Sequence, residues 1–78
     1  MKKVRLTKIT DCENPKHPKN IEDGYIVEGK FQTEPTVGDS FMIYGGYHGV
    51  WGTSKVTEIL SVNTFKTLNS IYKWEVIK

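Results

Sequence analysis

Along nearly the whole chain the apolar residues recur at every second position, and this alternation most restricts what the sequence can fold into. Val, Ile, Thr, Tyr, Phe and Trp carry it, and their branched or aromatic side chains fit a pleated sheet better than a helix. Val4 and Leu6 share one face of a first strand, with Arg5 and Thr7 opposite. The clearest run is Tyr25, Val27, Gly29 and Phe31 against Ile26, Glu28 and Lys30, in which Gly29 marks a bulge or a close backbone contact. Phe41 and Ile43 alternate with Ser40, Met42 and Tyr44 in a third strand. A fourth runs from about Val50 to Leu60, and because Val56 and Ile59 are out of step by one, a bulge is expected near Thr57. Phe65 and Thr67 mark a short fifth strand, and the last strand puts Tyr72, Trp74 and Val76 on one face.

The segments between these runs have turn chemistry. Pro35, Gly38 and Asp39 form one turn, Ser61-Val62-Asn63 a second and Leu68-Asn69-Ser70 a third. Residues 11–20 hold two prolines, Cys12, Asn14 and His17 with no period, and read as a long exposed loop, the most mobile part of the chain. Within 78 residues, five or six short antiparallel strands make one domain, 1–78, and an open sheet would leave two vulnerable edges. The expected fold is therefore all-β, a small closed or partly open β-barrel.

Composition narrows the function classes. Cys12 is the single cysteine, so no internal disulfide forms and a cytoplasmic location is the default expectation. Thr7, Lys8, Thr10 and Asp11 interrupt the start of the chain before any apolar run develops, which argues against an export signal. No segment approaches the ~20 apolar residues of a membrane helix, so no membrane partner is expected. The formal net charge of +2 is spread among alternating acids and bases, unlike the concentrated basic face of a dedicated nucleic-acid binder.

Catalytic signals are weak. Cys12 with His17, and His48 elsewhere, match no nucleophile signature, and four zinc ligands at paired spacing are absent from the sequence. No catalytic residue, metal or cofactor is assigned, and the chain is expected to bind rather than turn over. Two segments carry binding chemistry. The first is the glycine-aromatic hairpin Tyr44-Gly45-Gly46-Tyr47-His48-Gly49-Val50-Trp51-Gly52, in which Tyr47, His48 and Trp51 either stack on a ligand or fold back as a lid on the barrel. The second is the polar set Thr53, Ser54, Lys55, Thr67, Asn69 and Ser70, with Tyr72 close by. Pairing of strands four and five brings Thr67 opposite the Thr53 to Thr57 region, so these groups converge. Hydroxyls and carboxamides suit recognition of bases, ribose or phosphate oxygens, and serve equally to satisfy turns and strand ends.

Two family resemblances add to this. The runs Gly24-Tyr25-Ile26-Val27-Glu28-Gly29-Lys30-Phe31, Val37-Gly38-Asp39-Ser40-Phe41-Met42-Ile43 and Val56-Thr57-Glu58-Ile59 resemble the second, β-barrel domain of translation GTPases, which implies a barrel and carries no function. The C-terminal third, Thr53-Ser54-Lys55-Val56-Thr57-Glu58-Ile59 with Phe65-Lys66-Thr67-Leu68-Asn69-Ser70-Ile71-Tyr72 and Trp74, is similar to short barrel proteins of bacteria and their phages. Some small phage proteins are anti-defence sponges that sequester cyclic-nucleotide signals as oligomers. That resemblance implies a non-enzymatic homo-oligomer holding a small nucleotide-like ligand. The alternative is a barrel adaptor for a protein or a nucleic acid.

Overall fold

The computed structural model describes residues 2–11, 22–46 and 49–77, so Cys12, His17, Tyr47 and His48 lie outside the described residues, as does most of the long 11–20 segment. Six strands follow in chain order: β1 (Lys2–Asp11), β2 (Ile26–Phe31), β3 (Ser40–Gly46), β4 (Gly49–Ser61), β5 (Thr64–Thr67) and β6 (Ser70–Ile77). Each is antiparallel to the next and β6 returns to β1, which closes an all-β barrel. β1 and β4 are longer than the alternation alone indicates. β4 reaches 13 residues because its first half pairs with β3 and its second half with β5.

Inward-facing positions of every strand fill the bore. Val4, Leu6, Val27, Phe31, Phe41, Ile43, Val56, Phe65 and Tyr72 form the buried cluster. Each large side chain buried this way stabilises by ~1.5 to 3 kcal/mol. The aromatic rings run through it in sequence. Trp74 meets Phe31 at 5.5 Å, Phe31 meets Phe41 at 5.9 Å, and Phe41 meets Phe65 at 5.5 Å. Phe65 then stacks on Tyr72 at 5.5 Å, and Tyr72 takes the edge of Trp51 at 6.2 Å. Val76, expected to share the face of Tyr72 and Trp74, is half exposed because the last inward row runs out at the barrel end.

Of the five register shifts in the described ladders, two bear on the alternation read from the sequence and on the buried lysine. Between Val56 and Glu58 the β4–β5 register slips, so Thr57 is the extra residue and Val56 stays in the core opposite Thr67. The second lies between Lys8 and Thr10, where β1 gains a residue over β6. Here the inward row Val4, Leu6 continues to Lys8, which is as buried as its apolar neighbours. The slip at Ile9 advances the alternation by one and turns Asp11 toward Lys8, whose ammonium pairs with the Asp11 carboxylate and lies 3.5 Å from Asp23 Oδ1. Burying an ammonium costs several kcal/mol unless a counter-charge accompanies it, so bulge and carboxylate act together.

Asp11→Asn is therefore expected to cost about 3 kcal/mol in urea unfolding by leaving the Lys8 charge poorly compensated, and Lys8→Met with Asp11→Asn to recover most of that loss. A single variant as stable as the parent would show that Asp11 is not what neutralises Lys8.

Candidate functional site

The seam between β2 and β3 differs from the others. β1 and β2 pair continuously from Lys2↔Phe31 to Thr7↔Ile26, whereas among the described residues β2 and β3 share the one ladder pair Lys30↔Tyr44. Glycines make the approach possible. A Cβ at Gly29 would stand 2.6 Å from Ile43 Cγ2 and 2.7 Å from the Tyr44 carbonyl oxygen, and a Cβ at Gly46 would overlap the Glu28 carbonyl oxygen. The close contact expected of Gly29 is thus present, with Gly46 as its counterpart across the seam.

Beside this contact is a cleft of about 380 Å³, lined among the described residues by Ile26, Val27, Glu28, Ile43, Gly46, Gly49 and Trp51. Val27 and Ile43 face the core, while Ile26 and Glu28 are exposed on the outer face of β2. The cleft therefore lies at the seam, with the edges of core side chains at its floor and outer-face side chains at its rim. Trp51 is half-buried, and its contact with Tyr72 leaves it as one wall of the opening. At the rim Glu28 Oε2 accepts a 2.7 Å hydrogen bond from Arg5 Nε, and Arg5 Nη1 lies 3.5 Å from Glu75 Oε1. The Glu28 hydrogen bond, then its charge, holds the Arg5 guanidinium pKa above the ordinary arginine value, and desolvation only partly opposes them. The cleft volume falls at the small end of the ~300 to 1,000 Å³ typical of small-molecule sites.

On the other flank of β4 the polar set is brought together. Asn69 Nδ2 donates to Ser54 Oγ at 2.6 Å, and Leu68 N donates to the Lys55 carbonyl at 3.2 Å. Thr67 Oγ1 accepts from Asn69 N at 3.3 Å and Ser70 N at 3.1 Å, and donates to the Ser70 carbonyl at 3.1 Å. Thr53 Oγ1 accepts from Phe41 N at 3.0 Å and donates to the Ser54 carbonyl at 2.7 Å. These bonds pin the β5–β6 turn to β4. Thr53, Thr67, Ser70 and Tyr72 are buried, whereas Lys55 is exposed opposite Ser40. Of the candidate binding residues named from the sequence that the structure describes, Trp51 is the one that lines the cleft; Tyr47 and His48 lie outside the described residues.

Ile26, Val27, Glu28 and Ile43 were not legible as site residues, because their role depends on where β2 parts from β3. A second cavity of about 210 Å³ lies below the Lys30↔Tyr44 pair, lined by Gln32, Thr33, Glu34, Thr36, Asp39, Ser40, Met42 and Tyr44. Two carboxylates make it a poor seat for an anion. Together the fold and the cleft define a class: a small closed six-stranded antiparallel barrel with a cleft beside one seam. No protein-family model matches the chain, and neither curated proteins nor solved structures give a match.

Because backbone meets backbone at Gly46, Gly46→Ala is expected to lower stability by about 2 to 3 kcal/mol and to loosen the cleft. Gly45→Ala, with open space around it but a φ of 69°, should lose only about 1 to 2 kcal/mol. Chemical denaturation of both variants checks the ordering, and a Gly46 variant less affected than the Gly45 variant would refute tight closure there.

Proposed function

We propose that this protein is a non-catalytic binder of a small nucleotide-like ligand whose flat heteroaromatic ring enters the β2–β3 cleft and lies against Trp51. The observation that carries this reading is the cleft itself: an indole wall, the aliphatic side chains of Ile26, Val27 and Ile43, and Gly49, which has open space where a side chain would stand. Base stacking on an aromatic side chain contributes about 1 to 3 kcal/mol. Among the described lining residues Glu28 is the one titratable side chain, and Arg5 engages it, which favours retention of an intact ligand over acid-base chemistry.

The similarity of the C-terminal third to small bacterial and phage barrels extends the proposal to sequestration of a cyclic-nucleotide signal in the cytoplasm by a homo-oligomer. Exposed apolar side chains at Ile59, Leu60 and Val62 on the β4–β5 hairpin support self-association. The polar set Ser54, Lys55, Asn69 and Ser70 with Thr53, Thr67 and Tyr72, together with Tyr47 and His48, belongs to the proposed binding surface. Its described members act mainly by fixing the β4 flank that carries Trp51.

Titration with mono-, cyclic di- and cyclic trinucleotides, followed by tryptophan fluorescence, is expected to give saturable quenching with the ligand recovered unchanged. Trp51→Ala should weaken binding by about tenfold or more while Trp74→Phe, whose ring packs on Phe31 away from the cleft, leaves it intact. No response across the panel, or a Trp51 variant that binds like the parent, would reject the reading.

A further inference from the structure

The row of side chains next to the cleft breaks a rule of sheet design. On the outer face of β1 and β2, Lys3 stands directly opposite Lys30, and like charges so placed repel. Continued on either side, the row reads Tyr44, Lys30, Lys3, Ile77, with no carboxylate in it. Both lysines are exposed, and neither forms an ion pair among the described residues. The adjacent row, Glu28, Arg5, Glu75, does not relieve them, because Arg5 lies between its two carboxylates and holds both.

This uncompensated pair lies beside the opening. Ile26, Glu28 and Lys30 share one face of β2, so Lys30 is one pleat, about 7 Å, beyond the Glu28 rim of the cleft. Across the seam Gly46 lines the cleft, and Tyr44, two residues earlier, partners Lys30. Further along, the lower cavity presents Glu34 and Asp39, which oppose an anion moving past the lysine row. A negative group on the occupant of the cleft thus has Glu28, its charge engaged by Arg5, at the rim itself, two ammonium groups one pleat beyond it, and the carboxylates of the lower cavity further on.

Resting on the stacking reading above, we infer that the Lys3–Lys30 pair is the phosphate seat of the cleft, so that the ligand class is a phosphorylated nucleoside rather than a nucleoside or free base. A phosphate between the two ammonium groups replaces their repulsion with two charge-assisted hydrogen bonds. The base then occupies the cleft against Trp51, and the phosphate remains outside on the sheet, where solvent exposure makes its contribution sensitive to salt.

Calorimetry with adenosine, guanosine, their monophosphates and the corresponding cyclic dinucleotides tests this on the full chain. The parent is expected to bind the phosphorylated forms about tenfold or more tighter than the nucleosides, and rising salt should narrow the gap. Lys3→Gln with Lys30→Gln should reduce nucleotide affinity to that of the nucleoside while nucleoside affinity stays as in the parent. Removing a like-charge pair from the surface is not expected to lower the melting temperature, which serves as the control for folding. Equal affinity for nucleoside and nucleotide in the parent, or a gap that survives in the double variant, overturns the phosphate seat and leaves stacking standing. Absence of binding by every nucleoside and nucleotide overturns both. Tighter binding of single-stranded oligonucleotides than of any mononucleotide or cyclic dinucleotide, lost steeply with salt, overturns it in favour of a nucleic-acid surface.

Discussion

Closure of the barrel rests on β1, the strand that is hydrogen-bonded both to its successor β2 and to the last strand, β6. Its inward row Val4, Leu6, Lys8 faces the bore, and its outer row carries Arg5 between Glu28 and Glu75. Closing the circle at β1 removes the free edges that a six-stranded open sheet would expose. It also commits one end of the bore to a buried ammonium group, which is why the β1–β6 ladder slips at Ile9 and delivers Asp11 to the same face.

A barrel so small is closed unevenly, and the unevenness has chemical consequences. Aromatic rings from Trp74 to Trp51 fill the bore, so a ligand has no room inside it. The cleft lies instead at the seam where β2 and β3 meet through glycines. The same seam offers an apolar and aromatic surface within the opening and a lysine pair beside it. The proposed ligand, a heteroaromatic ring with an attached phosphate, draws on the chemistry of those two surfaces. Polar groups further along β4 are engaged in holding the β5–β6 turn.

Much of the fold could be read from the sequence because alternation reports directly on which side chains face the bore. The phase slip between Val56 and Ile59 located the Thr57 bulge, and the glycine interrupting the β2 pattern located a close backbone approach. Lys8 was legible only as a polar interruption, although it keeps the phase of Val4 and Leu6; its burial depends on Asp11 and Asp23, one of them brought by a bulge and the other by a separate segment. The site was less legible for a related reason. Trp51 stood out by residue type, but the walls opposite it come from β2 and β3, and the point at which those strands separate is a matter of register and not of local pattern. The Lys3 and Lys30 pairing was likewise invisible until the β1–β2 register placed them opposite each other.

Amide hydrogen exchange in the free and nucleotide-saturated protein tests the central claim, that the β2–β3 seam is the opening through which the ligand binds. The account predicts that amides of Ile26 to Glu28 and of Gly45 and Gly46 exchange faster than those of the β1–β6 ladder in the free protein, and that these seam amides gain the largest protection when a nucleotide is added. Seam amides as protected as the β1–β6 ladder, with ligand-induced protection confined to the Ser54 and Asn69 flank, would contradict it.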